Sequence, residues 1–330
     1  MNHRGSSSQS VSSLKTSIPA LIKTPSNMVS TAINFAPAFT SIKRPLTWLI
    51  TGCSSGLGLA IARHAQAAGH TIIATSRDPS RTPDLVTEIT THPISPGKWL
   101  TLDLDTPTCG SIIAELEAQG VVVDVLVNNA GWSIHAPVEH FAEEEVRAQF
   151  ETVFFGPYRL TRAAVAGMRR RRFGVVVNVS SGASLEGRDS MGVYAAAKAA
   201  FDGLTKVLAK EVAEFNVRTL TVLLGGFHTA MASAAKAGTQ PIADDYKGTL
   251  VDKTIQFMAS GQFVGDGDPA KAAKAIYEVV VGEGVGTGKE DELFLPLGRD
   301  MEARVKLVRD RLDNCWEVFG DVAMNVYIDR

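Results

Sequence analysis

The chain has 330 residues, of which 45% are hydrophobic and 21% charged, and a formal net charge of −2. That composition fits a globular protein with a sizeable core, in one large domain or two ordinary ones. It carries no electrostatic footprint of a nucleic-acid partner, and no apolar stretch reaches the roughly 18 residues that a bilayer span requires.

The first 44 residues carry Arg4, Lys15, Lys23, Lys43 and Arg44 and no carboxylate. They are rich in Ser and Thr, are interrupted by Pro19, Pro25 and Pro37, and keep no helical period. Such a stretch reads as a disordered extension. An acid-free, Ser-rich basic N-terminus also fits a transit peptide, although its arginines are few and its prolines break any amphipathic helix. A cytoplasmic location is expected, with mitochondrial targeting and an alternative start at Met28 left open. The three cysteines, Cys53, Cys109 and Cys315, make no disulfide framework and suit a reducing compartment.

From Leu46 onward, strand and helix patterns alternate. A strand is expected at 47–51, followed by Gly52-Cys53-Ser54-Ser55-Gly56-Leu57-Gly58 and a helix over 57–68. Strand, glycine-rich turn and helix form the layout of a dinucleotide site. The glycines let backbone approach a pyrophosphate, and the helix N-terminus offers free N–H groups and a partial positive charge. The spacing is G-x-x-x-G-x-G and not the commoner G-x-G-x-x-G. Cys53 is expected to serve there as a small side chain. The second strand, 71–76, ends at Ser76, and Arg77 follows. A carboxylate near this point would bind the adenosine ribose and select NAD. Ser76 stands in its place, and a guanidinium suits a 2′-phosphate, which favours NADP(H). Asp78, beside Arg77, weakens that preference.

Strands at 99–103 and 123–127 follow, with a helix over 109–119 between them. The first closes on Asp103 and the second on Asn128-Asn129-Ala130-Gly131. A long helix over 142–169 runs into a stretch of arginines, which reads as solvated cations at a helix C-terminus. A strand at 175–179 leads to Ser180 and Ser181. Tyr194 and Lys198 then lie four apart in a helix over 193–214, on one face. A cation beside a phenol lowers its pKa, ordinarily about 10, by roughly 1–3 units, which suits a general acid or base. After a strand at 219–223, the glycine-punctuated stretch 226–267 reads as a functional lid. A helix over 269–281, a strand at 293–296 and a helix over 300–318 complete the pattern, with 321–330 as a tail. Short strands, apolar on both faces and alternating with helices, specify an α/β fold. The expected architecture is a doubly wound parallel sheet in a single three-layer domain over 45–320.

The glycine loop, Asp103, the Asn-Asn-Ala-Gly segment, Ser181 thirteen residues before Tyr194, and the Tyr194–Lys198 pair occur in one order and spacing. Together they resemble the short-chain dehydrogenase/reductase family over about residues 45 to 315. The resemblance implies a Rossmann fold and a nicotinamide cofactor. Tyr194 would donate the proton in carbonyl reduction and accept it in alcohol oxidation. Lys198 would lower the Tyr194 pKa and bond the nicotinamide ribose. Ser181, and not its neighbour Ser180, would hold the substrate oxygen. Gly52, Ser54, Ser55, Gly56, Leu57 and Gly58 would cradle the cofactor, with Arg77 at its 2′ end. Asp103 would contact the adenine, and Thr229 the nicotinamide end. Asn129 would line the adenosine path or brace the sheet.

Trp132, Ile134, Phe227, Met231 and Phe257 suggest an apolar pocket, hence a small hydrophobic ketone, aldehyde or alcohol as substrate. The family often forms homodimers or homotetramers through the Tyr-bearing helix and its neighbour. Two positions depart from the family pattern. Members usually carry Asn-x-x-Gly where this chain has Val153-Phe154-Phe155-Gly156. That asparagine holds a water that extends a proton path from the lysine to solvent, and valine has neither donor nor acceptor. Leu224 stands where a proline is common, a change the strand end tolerates. Val153 leaves two readings open: an active NADP(H)-dependent oxidoreductase with another proton path, or a nucleotide-binding protein with little turnover that acts through a partner.

Overall fold

A computed structural model describes residues 38–229, 231 and 234–328. Most of the basic N-terminal extension, with Met28, lies outside the described residues. Residues 38–44, which the sequence grouped with that extension, lie along the domain. Phe39 N–H donates to Asp291, Thr40 N–H donates to Asn216, and Arg44 forms a two-pronged bond to Asp124 at 2.8 Å for each prong.

Seven strands form one sheet: β1 (Thr47–Ile50), β2 (Thr71–Ser76), β3 (Lys98–Thr101), β4 (Val125–Asn128), β6 (Gly174–Ser181), β7 (Val217–Leu224) and β9 (Phe294–Leu297). Their order is β3-β2-β1-β4-β6-β7-β9, and every neighbouring pair is parallel. Two further strands of two residues each, β5 (Ile134–His135) and β8 (Lys236–Ala237), pair with one another. The doubly wound parallel sheet expected from the sequence is therefore present. The order reverses between β1 and β4, and in such sheets the crevice beyond the strand C-termini at that point holds the ligand.

Strand alternation separates the core into two layers. Trp48, Ile50, Val125, Val127, Val175 and Val177 face α1 (Gly56–Ala67) and α9 (Pro269–Val281). Leu49, Ile73, Leu126 and Val176 face α3 (Ser111–Ala118) and α5 (Gly156–Arg171). Each layer removes apolar side chains from water on both sides of the sheet, at about 25 cal/mol per Å². Asp124, which interrupts the apolar run before β4, is buried at the strand entry. It takes the Arg44 fork and the Thr47 N–H, so its charge ties the chain entry to the sheet.

The single long helix expected over 142–169 is instead α4 (Glu143–Phe150), a π turn (Glu151–Phe155) and α5. Pro157 has no N–H to give the carbonyl of Val153, and Gly156 N–H reaches back to Glu151 in the wider bond. The helix also needs Gly156 where it passes Leu104, because a Cβ there would lie 2.7 Å from the Leu104 carbonyl oxygen. Three short helices, α2 (Pro83–Thr90), α6 (Ala183–Glu186) and α8 (Leu250–Ala259), were not expected. In α2, threonine hydroxyls bond carbonyls one turn back. In the lid, α8 starts at a Thr249 cap. The short α6 follows β6, and α7 (Gly192–Val212) carries the Tyr–Lys pair. The last helix, α10 (Met301–Met324), runs through Gly320 and past its expected end.

Candidate active site

The C-terminal ends of β1, β2, β4, β6 and β7 open into one cavity of about 670 Å³. Every catalytic and cofactor residue expected from the sequence except Gly58 lines it: Gly52, Ser54, Ser55, Gly56, Leu57, Arg77, Asp103, Asn129, Ser181, Tyr194, Lys198 and Thr229; of the residues expected to shape its apolar end, Ile134 does not line it.

At one end the lining is largely backbone. Gly52 has φ +73°, a conformation that favours glycine. Gly58 lies behind the loop, where a Cβ would fall 2.4 Å from Asn129 Nδ2 and 2.5 Å from the Gly52 carbonyl oxygen. The first turn of α1 has neither a side-chain cap nor an acidic residue, so its N–H groups remain free for an anion. This cradle fits a dinucleotide pyrophosphate. The Asn129 side chain is committed to the scaffold: its amide donates to the carbonyls of Thr51 at 2.8 Å and Gly52 at 3.3 Å. The Cys53 thiol is buried and pushed up to about 12 by burial, so it is a packed side chain and not a nucleophile.

Ser76 accepts from Trp99 Nε1 at 3.0 Å. Asp78 turns to Ser80, accepting from its N–H and hydroxyl at 3.0 and 2.6 Å, and so leaves Arg77 beside the cavity without an ion pair among the described residues. Asp103 is exposed at the rim, where Oδ1 accepts from Asp105 N–H.

The chemistry-bearing groups lie where β6 meets α7. Ser181 ends β6 in register with Leu224. Ser180 is turned the other way and donates to Asp202 Oδ2 at 2.9 Å. Strand alternation thus gives the two adjacent serines different work. Ser181 Oγ accepts from Ala183 N–H at 3.2 Å and lines the cavity together with Tyr194. Lys198 Nζ donates to the Val179 carbonyl at 2.6 Å and lies 5.9 Å from the centre of the Tyr194 ring. Tyr194 and Lys198 are 5% and 6% exposed.

The sequence expectation that Lys198 lowers the Tyr194 pKa is corrected by this burial. Desolvation pushes the phenol up to about 12, against a smaller downward pull from the neighbouring Ser181 hydroxyl, and nearby Asp202 adds to the rise. The same burial brings Lys198 down to about 8, against the opposing pull of Asp202. Near neutral pH the phenol is protonated and the lysine charged, which is the state of a proton donor.

Val153 is buried in the π turn. A Cβ on Gly131 would lie 3.9 Å from a Val153 methyl and 4.0 Å from Lys198 Nζ, so valine and ammonium border one small space. Thr152 does not substitute for the missing asparagine. Its hydroxyl donates to Asp105 at 2.6 Å and accepts from Trp132 Nε1 at 3.0 Å.

The other end of the cavity is lined by side chains of the lid, including Phe227, Met231, Phe257, Met258 and Phe263. The lid is closed at its base by a bridge between Phe227 and Gly267 and is tied to the domain by the β5–β8 pair. Lys236 of β8 lies 4.6 Å from the centre of the Trp132 ring.

Sequence reasoning missed several groups here. His135 is buried in β5, 3.1 Å from the Ser133 hydroxyl and 3.0 Å from that of Ser190, and burial lowers its pKa to about 4. Arg188 and Lys253 line the cavity, and neither makes an ion pair among the described residues. Arg304 holds Glu186 and Asp300, which fixes α6 directly after Ser181. Asp202, one turn beyond Lys198, is buried with Oδ1 unpartnered among the described residues. Only its spacing from Lys198 could have identified it, and a buried carboxylate cannot be read from one sequence.

A family model for the short chain dehydrogenases matches residues 47–240. The oxidoreductase claN of Passalora fulva is 39% identical over 212 residues, 64% of this chain and 94% of its own length. The oxidoreductase calM of Penicillium decumbens is 33% identical over 280 residues, 81% of this chain and 87% of its own length. A short-chain dehydrogenase structure from Streptomyces avermitilis is similar with a TM-score of 0.75 and 34% identity, covering 87% of this chain and all of that one. No described helix is long and apolar enough to cross a membrane. The parallel sheet, the glycine cradle and the Ser–Tyr–Lys cluster agree with that likeness, and the chain belongs to the short-chain dehydrogenase/reductase family.

Proposed function

We propose that the protein is an NADP(H)-dependent oxidoreductase that interconverts a small hydrophobic ketone or aldehyde and its alcohol. A bound nicotinamide supplies or takes the hydride. Tyr194 gives the proton to the carbonyl oxygen in reduction and takes it back in oxidation. Ser181 fixes that oxygen by a hydrogen bond. Lys198, charged near neutral pH, adds positive charge beneath the phenol and bonds the nicotinamide ribose. Gly52, Ser54, Ser55, Gly56 and Leu57 cradle the pyrophosphate, and Gly58 supports the loop from behind. Asp103 contacts the adenine, Asn129 holds the cradle, and Thr229 meets the nicotinamide end. Residues 226–267 cover the substrate. The three unpaired cysteines favour a reducing compartment, the cytoplasm.

The observation that carries this reading is Tyr194, buried in the cavity wall beside Ser181 with Lys198 one turn below it. Tyr194→Phe removes the transferable proton and little volume. It is expected to lower kcat by about 10²–10⁴-fold on any ketone that the wild type reduces, with NADPH binding unchanged by calorimetry. A Phe variant that turns over at the wild-type rate refutes the role.

The preference for NADP(H) over NAD(H) rests on Arg77 at the end of β2 and on the absence of a carboxylate at Ser76. Val153 favours a second reading, a nucleotide-binding protein with little turnover. Stopped-flow NADPH absorbance with a panel of ketones and aldehydes separates the two. Tight binding with no turnover, restored by Val153→Asn, supports the second reading and defeats the first.

A further inference from the structure

We infer that the substrate carries an anionic group, a carboxylate or a phosphate ester, set apart from its reacting carbonyl and taken by Arg188 and Lys253. The inference rests on the oxidoreductase reading above and narrows its substrate class.

The charges around the cavity are almost all of one sign. Among the described residues that line it, Asp103 is the one carboxylate, and it lies at the rim of the nucleotide end. The lining cations are Arg77, Arg188, Lys198, Lys253 and Arg304. Arg77 stands at the nucleotide end. Lys198 Nζ donates to the Val179 carbonyl, and Arg304 holds Glu186 and Asp300. Arg188 and Lys253 remain, and neither makes an ion pair among the described residues. His135 also lines the cavity, but burial holds its pKa down at about 4, so near neutral pH it is uncharged.

Both cations sit on elements that border the substrate end. Arg188 lies in the loop that leads from α6 to Tyr194, and its carbonyl accepts from Met191 N–H at 3.0 Å. Two residues on, Ser190 ties this loop to the chain around β5. The Ser190 carbonyl accepts from Ala136 N–H at 3.0 Å, and its hydroxyl lies 3.0 Å from His135 Nδ1. These bonds sustain φ +67° at Ser190, a left-handed conformation that few serines adopt. Met191 of the loop and Met231 of the lid both pack against the cluster around Tyr194. On the lid, α8 turns one face to the cavity: Lys253, Thr254, Phe257 and Met258. Lys253 and Phe257 are four apart, so charge and ring share that face. The adjacent acid on α8, Asp252, is engaged by Gly248 N–H and the Gln256 amide, both at 2.8 Å. Asp189, beside Arg188, does not line the cavity.

In an apolar pocket, a few polar groups fix the orientation of the ligand. Here those groups are a guanidinium fork on one element and an ammonium on another. An anionic tail gains charge-assisted bonds from both, whereas a cationic substrate meets like charge that no nearby lining carboxylate offsets.

Calorimetry on the full chain with saturating NADP+ tests the site apart from turnover. The probes are methyl ketones that end in a carboxylate, from short to long chains, their methyl esters, and the matching oxoalkyl phosphates. At the chain length that fits, a charged probe should bind about tenfold more tightly than the ester, and high salt should narrow the gap. The tighter of the two charged probes names the group. Arg188→Gln with Lys253→Gln should close the gap by weakening the charged probe. Both residues are exposed, so this variant should fold. Lys247→Gln, in a lid cation paired with Asp244 outside the cavity, should leave the gap in place. NADPH oxidation separates this inference from the reading it rests on. A gap with no hydride transfer to any probe keeps the anion site and tells against the oxidoreductase. Equal turnover of acid and ester, with no gap at any length, does the reverse. An ester that binds as well as the charged probes, a gap that survives the double variant, or no binding by any probe overturns the inference.

Discussion

At the nucleotide end of the cavity, the lining is backbone that the sheet holds in place. Gly52 and Gly58 pack against Asn129, whose amide is bonded to the Thr51 and Gly52 carbonyls, and β1 and β4 run side by side beneath them. At the substrate end, the lining is side chains on a lid anchored by the β5–β8 pair and the bridge between Phe227 and Gly267. The first end has a shape that tolerates almost no added atom. The second has room for side chains to exchange. A substitution at the nucleotide end should therefore act on the whole site, and one at the lid on the choice of substrate.

Gly58→Ala should give the largest effect. The new Cβ would fall 2.4 Å from Asn129 Nδ2 and 2.5 Å from the Gly52 carbonyl, and a backbone oxygen cannot swing aside. Overpacking of this kind costs about 1–3 kcal/mol in stability and also moves the cradle itself. The NADPH Kd is expected to rise by at least about a hundredfold by calorimetry, with a lower melting temperature. An alanine variant that binds NADPH like the wild type breaks the contrast between the two ends.

The same contrast explains what could be read in the sequence. The glycine loop, Ser181, Tyr194 and Lys198 are legible because their spacing follows from one turn, one strand and one helix. The strands are legible because apolar runs such as Val-Leu-Val at 125–127 are buried on both faces. The lid helix α8 and the strands β5 and β8 are not legible, because they are short and their partners lie far away in the chain. The π turn at 151–155 was hidden because helical period continues through it, although Pro157 was its signal. The Tyr194 pKa was misjudged for a physical reason: spacing brings the cation near, but only the fold sets how deeply both groups are buried.

The next effect is a pH dependence that belongs to the substrate end. His135 has a folded pKa of about 4, below its ordinary value of about 6.5. Between those values the unfolded chain takes a proton that the folded chain refuses. Stability therefore falls as pH drops through this window and levels off below it. The full span is worth on the order of 3 kcal/mol. His70, lowered by burial, contributes with the same sign. Urea unfolding at intervals from pH 7 to pH 4 should show a shallower slope in His135→Asn than in the wild type. Equal slopes would mean that His135 is not a buried neutral group.

Arg77→Ser tests a part of the nucleotide end that is side chain and not backbone. A charge-assisted bond to a 2′-phosphate contributes about 1.5–3 kcal/mol. The variant should bind NADPH roughly ten- to a hundredfold more weakly and NADH as before. If the wild type binds NADH at least as tightly as NADPH, the preference drawn from Arg77 is wrong.

Phe257→Ala should have the smallest effect, and it is the sharpest test of the lid. The ring lines the cavity, is 47% exposed and meets Phe263 edge-on at 6.3 Å between centroids. Half-exposed, it contributes little to stability, so the melting temperature should stay near the wild-type value. Its apolar area is available to a substrate, and one substrate methylene against such a wall is worth about 1–3 kcal/mol. KM should therefore rise for long apolar ketones and stay level for short ones, while kcat and the NADPH Kd remain unchanged. A fall in kcat with KM constant would place Phe257 among the groups that position the reacting carbonyl. The lid would then share the tight geometry of the nucleotide end.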